Sequence, residues 1–312
     1  KYFINYKNSI IYIFIDENKY IIKNTINKVL GNQYYNYFKF FNFNDAFFYK
    51  NKLDYHINMN NSLYPNIFGL SKNHKNNIYH CQFPFDINNK NIINSKNILK
   101  LNDYKKIVLN SEFTKKYYSK IIKNNSDKSI DILYPNCLDN INKNKSFKKE
   151  DNSFVMLGRI FDFNRDANNK NFDIALKYFE KIENDGYTNF EVNIIGPVYS
   201  KNFLNKLKSF KIKNINFYHN ISNIQKNIIL SKSKYIINLV GLNRHIENEC
   251  YAYEHFGISI IEGINFKCIP ISINGGFPNY YIKHNETGLI FKNENELYNI
   301  LKNIIISNKN IT

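Results

Sequence analysis

The chain has 312 residues, with 43 Lys and Arg against 26 Asp and Glu, a formal charge of +17. Its hydrophobic content of 43% and aromatic content of 16% support one large domain or two ordinary ones and exclude global disorder. The charge suggests a polyanion binder, yet only Arg159, Arg165 and Arg244 are arginines. A phosphate-binding surface would favour the bidentate guanidinium, so the excess of Lys, together with abundant Asn, Ile, Tyr and Phe, reads as A/T-rich coding bias.

Apolar runs such as residues 10–15 fall short of the roughly 18 residues that cross a membrane, and no secretory signal pattern opens the chain. Four widely spaced cysteines without a CxxC pair suit a reducing compartment and argue against a disulfide framework or a zinc site. The expected location is cytoplasmic, with peripheral contact at an anionic membrane surface compatible with the charge.

In chain order, residues 9–15, 55–58, 77–81 and 106–109 read as strands and 112–122 as a helix. The polar stretch 140–152 (NINKNKSFKKEDN) reads as a linker, dividing a first domain at 1–139 from a second at 153–312. The second domain alternates: strand 153–157, helix 172–182, strands 190–195 and 215–218, helix 224–230, strand 235–240, helix 257–265, strand 268–273, helix 294–305. That alternation predicts βαβ units in a doubly wound parallel sheet, which binds ligands at the carboxyl ends of its strands. Only Gly31 and Gly69 precede residue 150, and the other nine glycines run from 158 to 288. Where coding bias disfavours Gly, the survivors mark backbone that needs φ > 0 or close approach.

The segment at 253–263, YEHFGISIIEG, carries the most chemistry. Glu254 and Glu262 are eight apart, with Gly257 where a loop turns into a helix. If the helix starts near Phe256, the amides of Phe256, Gly257 and Ile258 offer donors to an anion or hydroxyl. Glu254 in the loop and Glu262 two turns along can then accept from ligand hydroxyls. Spacing alone equally suits an ordinary amphipathic helix with a polar entry.

The residues themselves resemble the EX7E motif of retaining glycosyltransferases of the GT-B fold, family 4. The wording EHFGIS…E is most like the branch of mannosyltransferases that extend dolichol-linked oligosaccharides. The likeness continues in order: 155–159 (VMLGR) with 170–173 (KNFD), 192–196, and 217–222 (FYHNIS), where His219 replaces the usual Gly. Gly275-Gly276 and 285–291 (NETGLIF) follow. In the first half, 54–58 (DYHIN), 78–86 (IYHCQFPFD), 108–114 (VLNSEFT) and Tyr134-Pro135 resemble the acceptor-side domain.

This resemblance implies two Rossmann-like domains with parallel sheets facing across a cleft, the first of them reduced. The family's first strand and Gly-rich loop have no counterpart before Asp54, and few residues follow 305. A fragment, a piece of a larger protein and a trimmed version of the fold all accommodate this. The implied activity is retaining transfer of a hexose-type sugar from a UDP- or GDP-linked donor to a hydroxyl of a glycan, lipid-linked or protein acceptor. The dolichol likeness leans to GDP-mannose. No metal or other cofactor is expected.

By position, Arg159 and Lys170, beside Gly158, would clamp the donor diphosphate. Glu254 would contact the transferred sugar, and the amides of Phe256, Gly257 and Ile258 would hold hydroxyls and phosphate oxygens. Glu262 would take the ribose. His255 would contact sugar or would cap and pack. Two departures stand out. Arg159 and Lys170 are eleven apart, a longer gap than usual, with Arg165 inside the insertion as a substitute clamp or a solvated loop residue. Gln82 occupies the place of a sugar-contacting His, with His80 two residues earlier as a packed strand residue or a further contact. The rival readings are a non-catalytic sugar-nucleotide-binding module and a basic polyanion or membrane-surface binder. No specific nucleic acid partner is expected.

Overall fold

The computed structural model describes residues 10–15, 24, 37–42, 53–58, 76–82, 104–121, 129–137, 148–161 and 170–307. Arg165, most of the linker stretch and residues 83–86 lie outside the described residues. Strands β1 (Ile11–Ile15) and β2 (Phe38–Asn42) form a parallel pair. Strands β3 (His56–Asn58), β4 (Asn77–Cys81), β5 (Lys106–Leu109) and β6 (Ser129–Ile132) are neighbours in that order in a second sheet. Helix α1 (Glu112–Ile121) follows β5. The strands predicted at 77–81 and 106–109 match, whereas β2 and β6 escaped the sequence reading: β2 (FKFFN) breaks its alternation, and β6 (SIDI) alternates over only four residues.

The chain divides into two compact units. The first comprises Lys1–His80, Asn94–Ile107 and Asn125–Ser129; the second comprises Cys81–Ile93, Val108–Asn124 and Ile130–Thr312. In the first, Tyr12 and Phe41 stack at 5.4 Å across the β1–β2 pair, and buried Asn77 holds the Lys105 amide through its side chain at 2.9 Å.

The second unit contains a six-stranded sheet. Its strands are β7 (Glu150–Leu157), β8 (Glu191–Ile195), β9 (Ile215–Tyr218), β10 (Ser233–Asn238), β11 (Ile269–Ile273) and β12 (Leu289–Phe291), in spatial order β12-β11-β10-β7-β8-β9. Each pair with a described register is parallel. The order runs outward from β7 to β9, then restarts beside β7 with β10 and runs the other way. The switch point of this doubly wound sheet therefore lies between β7 and β10.

Helices α2 (Phe172–Asn184), α3 (Lys201–Lys208), α4 (Asn223–Lys232), α5 (Ile258–Asn265) and α6 (Glu294–Ser307) connect or flank the strands. Period-2 alternation sorts the strand side chains. Phe154, Met156, Val192, Ile194, Tyr235 and Ile237 join one core with the buried faces of α2, α3 and α6. Val155, Ile195 and Ile236 point the other way, into a core with Leu230 and Cys268. Both faces are covered, which is why these strands read as near-continuous apolar runs.

Strand β7 begins at Glu150, three residues inside the stretch read as linker. Asn152 explains the extension: it is fully buried, adopts φ 57°, and its amide donates to the carbonyls of Asn189 and Ile305. Helix α3 was also missed, because only Phe203, Leu204 and Leu207 of its eight residues are buried. Its readable signal is Ser200, the N-cap, which accepts from the Phe203 amide at 3.2 Å.

Candidate functional site

The connections that leave β7 and β10 meet at the switch point. After β7 the chain passes Gly158 and exposed Arg159, and it is described again from Lys170, just before α2. The stem of Lys170 lies across Gly158: a Cβ there would sit 2.8–3.0 Å from its Cε, Cγ and Cδ. After β10 a long loop leads through a single 3-10 turn, Cys250–Ala252, to Glu254 and then α5. The Lys170 ammonium donates to the Glu254 carboxylate at 2.9 Å, with side chains only 18% and 14% exposed.

Burial alone would raise the Glu254 pKa, but the Lys170 ammonium, His255 and the Gly257 amide together hold it below the ordinary value. Glu254 is therefore a carboxylate with a fixed orientation. Lys170 has three N–H donors, so one can serve Glu254 while others face a further acceptor.

Gly257 is the N-cap of α5, at φ 89°. A Cβ there would fall 2.7 Å from the Tyr281 hydroxyl and 3.3 Å from Glu254 Cγ. The helix thus opens at Ile258, slightly later than the sequence suggested, because Gly257 takes the left-handed conformation and stands outside it as the N-cap. Of the three predicted amides, that of Gly257 favours the Glu254 carboxylate, and Ile258 opens the helix among amides that have no intrahelical acceptor. Phe256 is buried, its ring stacked on Phe277 at 5.3 Å. Glu262 lies on the second turn of α5 and pairs with Lys226 of α4 at 2.6 Å.

His255 faces inward. It is 4% exposed, its Nε2 lies 3.0 Å from the Tyr251 carbonyl, and its ring stacks near Phe113. Burial pushes its pKa down from 6.5 to about 4, with Lys170 adding to the fall and Glu254 and Tyr251 opposing it. The unfolded chain therefore takes up a proton that the folded chain refuses until about pH 4. The sign follows: this contribution is fully present above about pH 6.5 and is lost as the pH falls toward 4. His255→Gln is expected to flatten the acid-side stability loss by a few kcal/mol, read from urea unfolding at stepped pH. Identical slopes in the two proteins would contradict this.

Of the remaining predicted contacts, Gln82 is half-buried and its carbonyl accepts from the Asn110 amide at 2.6 Å. His80 ends in a buried Nε2 without a hydrogen-bond partner, and burial lowers its pKa. Arg244 pairs with Glu249 at 2.7 Å. His219 sits exposed in the turn before α4, but the left-handed residue there is Asn220 at φ 58°, so the turn does not need Gly at 219. Among the described residues, no three His, Cys, Asp or Glu side chains group as metal ligands, and no helix is long and apolar enough to cross a membrane. None of the four cysteines forms a disulfide.

Sequence reasoning missed Ser111, Tyr281 and Tyr253. The Ser111 hydroxyl donates to the His255 carbonyl at 2.6 Å, and the Tyr253 hydroxyl to the Arg244 carbonyl at 2.6 Å. Ser111 had one legible signal, a Ser-x-x-Thr start to α1, in which Ser111 Oγ accepts from the Thr114 amide.

A doubly wound parallel sheet with a charged pair over its switch point is an α/β architecture of the GT-B class. The chain is similar in fold to Anabaena Alr3699/HepE in complex with UDP and glucose (11% identity, TM-score 0.62, covering 96% of this chain and 90% of that one). It is similar to a glycosyltransferase from Rickettsia africae ESF-5 (16%, 0.61, 95% and 85%). It is also similar to WaaG, a glycosyltransferase involved in lipopolysaccharide biosynthesis (12%, 0.57, 88% and 79%). No curated protein matches it by sequence. The family model described as glycosyl transferases group 1 matches residues 139–308, more than half the chain, and the chain belongs to that family.

Proposed function

We propose that the chain is a retaining hexosyltransferase that uses a UDP- or GDP-linked sugar, with its donor site built around Lys170 and Glu254. The observation that carries this reading is the ion pair itself, fixed over the switch point by Gly158 beneath Lys170 and by the Gly257 amide against Glu254. In this reading residues 153–312 bind the donor, and 1–139 serve the acceptor. Lys170 turns its remaining donors to the diphosphate, and Arg159 on the same loop adds a second cation. These cations stabilise the charge that develops as the leaving group departs, and no divalent metal is needed. Glu254 accepts from the transferred sugar, the amides at 256 and 258 donate to it or to phosphate, and Glu262 accepts from the ribose.

The bond from the anomeric carbon to the phosphate oxygen breaks, and a bond to the acceptor oxygen forms on the same face. The acceptor proton passes to the leaving phosphate, so no protein base is required. His255 supports this assignment: its lowered pKa and inward ring make it a poor proton acceptor at neutral pH. The UDP and UDP-glucose complexes of Alr3699/HepE make uridine donors the first to test, with GDP-mannose alongside.

The test is incubation with UDP-glucose, UDP-N-acetylglucosamine and GDP-mannose. Nucleotide release is followed, and the anomeric proton of the product is read by NMR. The expected result is turnover that EDTA does not change, with the donor's anomeric configuration retained. Inverted product would overturn retention, and loss of activity in EDTA would overturn metal independence. Binding without turnover would favour a non-catalytic module.

A further inference from the structure

Three consecutive carbonyls of the Glu254–Gly257 turn are each held by a separate donor. Glu254 O accepts from the Phe277 amide at 2.8 Å. His255 O accepts from the Ser111 hydroxyl at 2.6 Å. Phe256 O accepts from the Tyr281 hydroxyl at 3.3 Å. In a planar trans peptide the carbonyl and the following N–H point in opposite directions. A grip on one carbonyl oxygen therefore aims the next amide away from the gripping group. Ser111 thereby aims the Phe256 N–H, and Tyr281 aims the Gly257 N–H, which meets the Glu254 carboxylate.

Both hydroxyls are themselves anchored. Ser111 is fully buried, and its Oγ also accepts from the Thr114 amide at 3.1 Å. Thr114 donates to Asn110 Oδ1 at 2.6 Å, and Asn110 donates in turn to the Gln82 carbonyl at 2.6 Å. The Tyr281 ring packs edge-on against Phe277 at 5.6 Å, and its hydroxyl fills the space that a Gly257 side chain would need.

We propose that Ser111 and Tyr281 are positioning residues for sugar transfer, acting through the peptide planes at 255–256 and 256–257 to set the donor-facing amides and the Glu254 carboxylate. In this proposal each acts through the backbone it holds, not on the donor itself. The hydrogen bonds from Ser111 through Asn110 also tie that turn to the backbone of Gln82, the residue predicted to contact sugar or acceptor. This inference rests on the donor-site reading above. It differs from a purely structural role in one respect: the deletions should cost turnover beyond any loss of stability.

Tyr281→Phe removes one oxygen and leaves the ring, and Ser111→Ala removes the other hydroxyl. Each is expected to lower kcat with UDP-glucose or GDP-mannose, whichever the unmodified chain turns over, by about 10- to 100-fold. The donor KM and the affinity for the free nucleotide should move by no more than about threefold. Ser111→Thr, which keeps the hydroxyl, should recover most of the turnover lost in Ser111→Ala. A kcat within twofold of the unmodified chain in both deletion variants would overturn the inference while leaving the donor site standing. So would a loss that Ser111→Thr does not restore and that tracks a fall in melting temperature. Absence of turnover in the unmodified chain would remove the donor-site reading, and the inference with it.

Discussion

Lys170→Ala and Glu254→Ala should each lower kcat for sugar transfer by about 100- to 1,000-fold, the scale of losing one preorganised charge at a reacting centre. The same pair yields a stability signature that needs no substrate. Lys170 and Glu254 are mutually paired at 2.9 Å and largely removed from water. Deleting either partner leaves the other charge buried and uncompensated, at a cost of about 3–5 kcal/mol. Deleting both removes the charge as well as the pairing, so the double variant should cost well under the sum of the single ones. Urea unfolding of the four proteins closes the cycle. Additive losses would show that the pair is not coupled, and wild-type turnover in either single variant would remove it from the mechanism.

Gly276→Ala should destabilise the protein by about 2–4 kcal/mol and weaken donor binding with it. Gly276 adopts φ 74° and ψ −171°, a region that is essentially glycine-only. An added Cβ would stand 2.5 Å from the Glu254 carbonyl oxygen. That oxygen is the acceptor for the Phe277 amide at 2.8 Å, so the substitution pushes apart the contact that seats Glu254. Gly186 supplies the control: it has φ 92°, yet nothing lies within 4 Å of its added Cβ. Gly186→Ala should therefore show the backbone strain alone, about 1–2 kcal/mol, with unchanged nucleotide affinity. Equal effects at the two positions would mean that the Glu254 contact contributes nothing.

Much of the second unit was legible because its strands are buried on both faces and its helices keep a 3.6-residue period. Residues 215–218 were read to the residue, and the helices at 172 and 294 were placed at their first residue. The surroundings of Lys170 and Glu254 were legible for a different reason: Gly is rare in this chain, and three of its glycines lie against that pair. Gly158, Gly257 and Gly276 all bear directly on Lys170 or Glu254.

The same bias also hid structure. Among the described residues, six non-glycine positions take φ > 0, and five of them are Asn. Asn tolerates the left-handed region better than other side chains and is encoded by A/T-rich codons. Many turns that Gly would mark elsewhere are therefore written here in the commonest polar residue, where they give no signal. Asn152 and Asn220 are examples, one concealing the start of β7 and the other the turn after β9. Ser111 and Tyr281 were invisible for a third reason: their partners are backbone carbonyls 144 and 25 residues away in the chain, and no local pattern encodes such a contact.

The donor site is tested most directly by calorimetric titration of UDP and GDP into the unmodified chain, Lys170→Ala and Gly186→Ala. One nucleotide is expected to bind the unmodified chain and Gly186→Ala equally. Lys170→Ala should lose at least about tenfold in affinity, the equivalent of one charge-assisted phosphate contact. Failure of both nucleotides to bind, or equal affinity in Lys170→Ala, would contradict the donor-site reading.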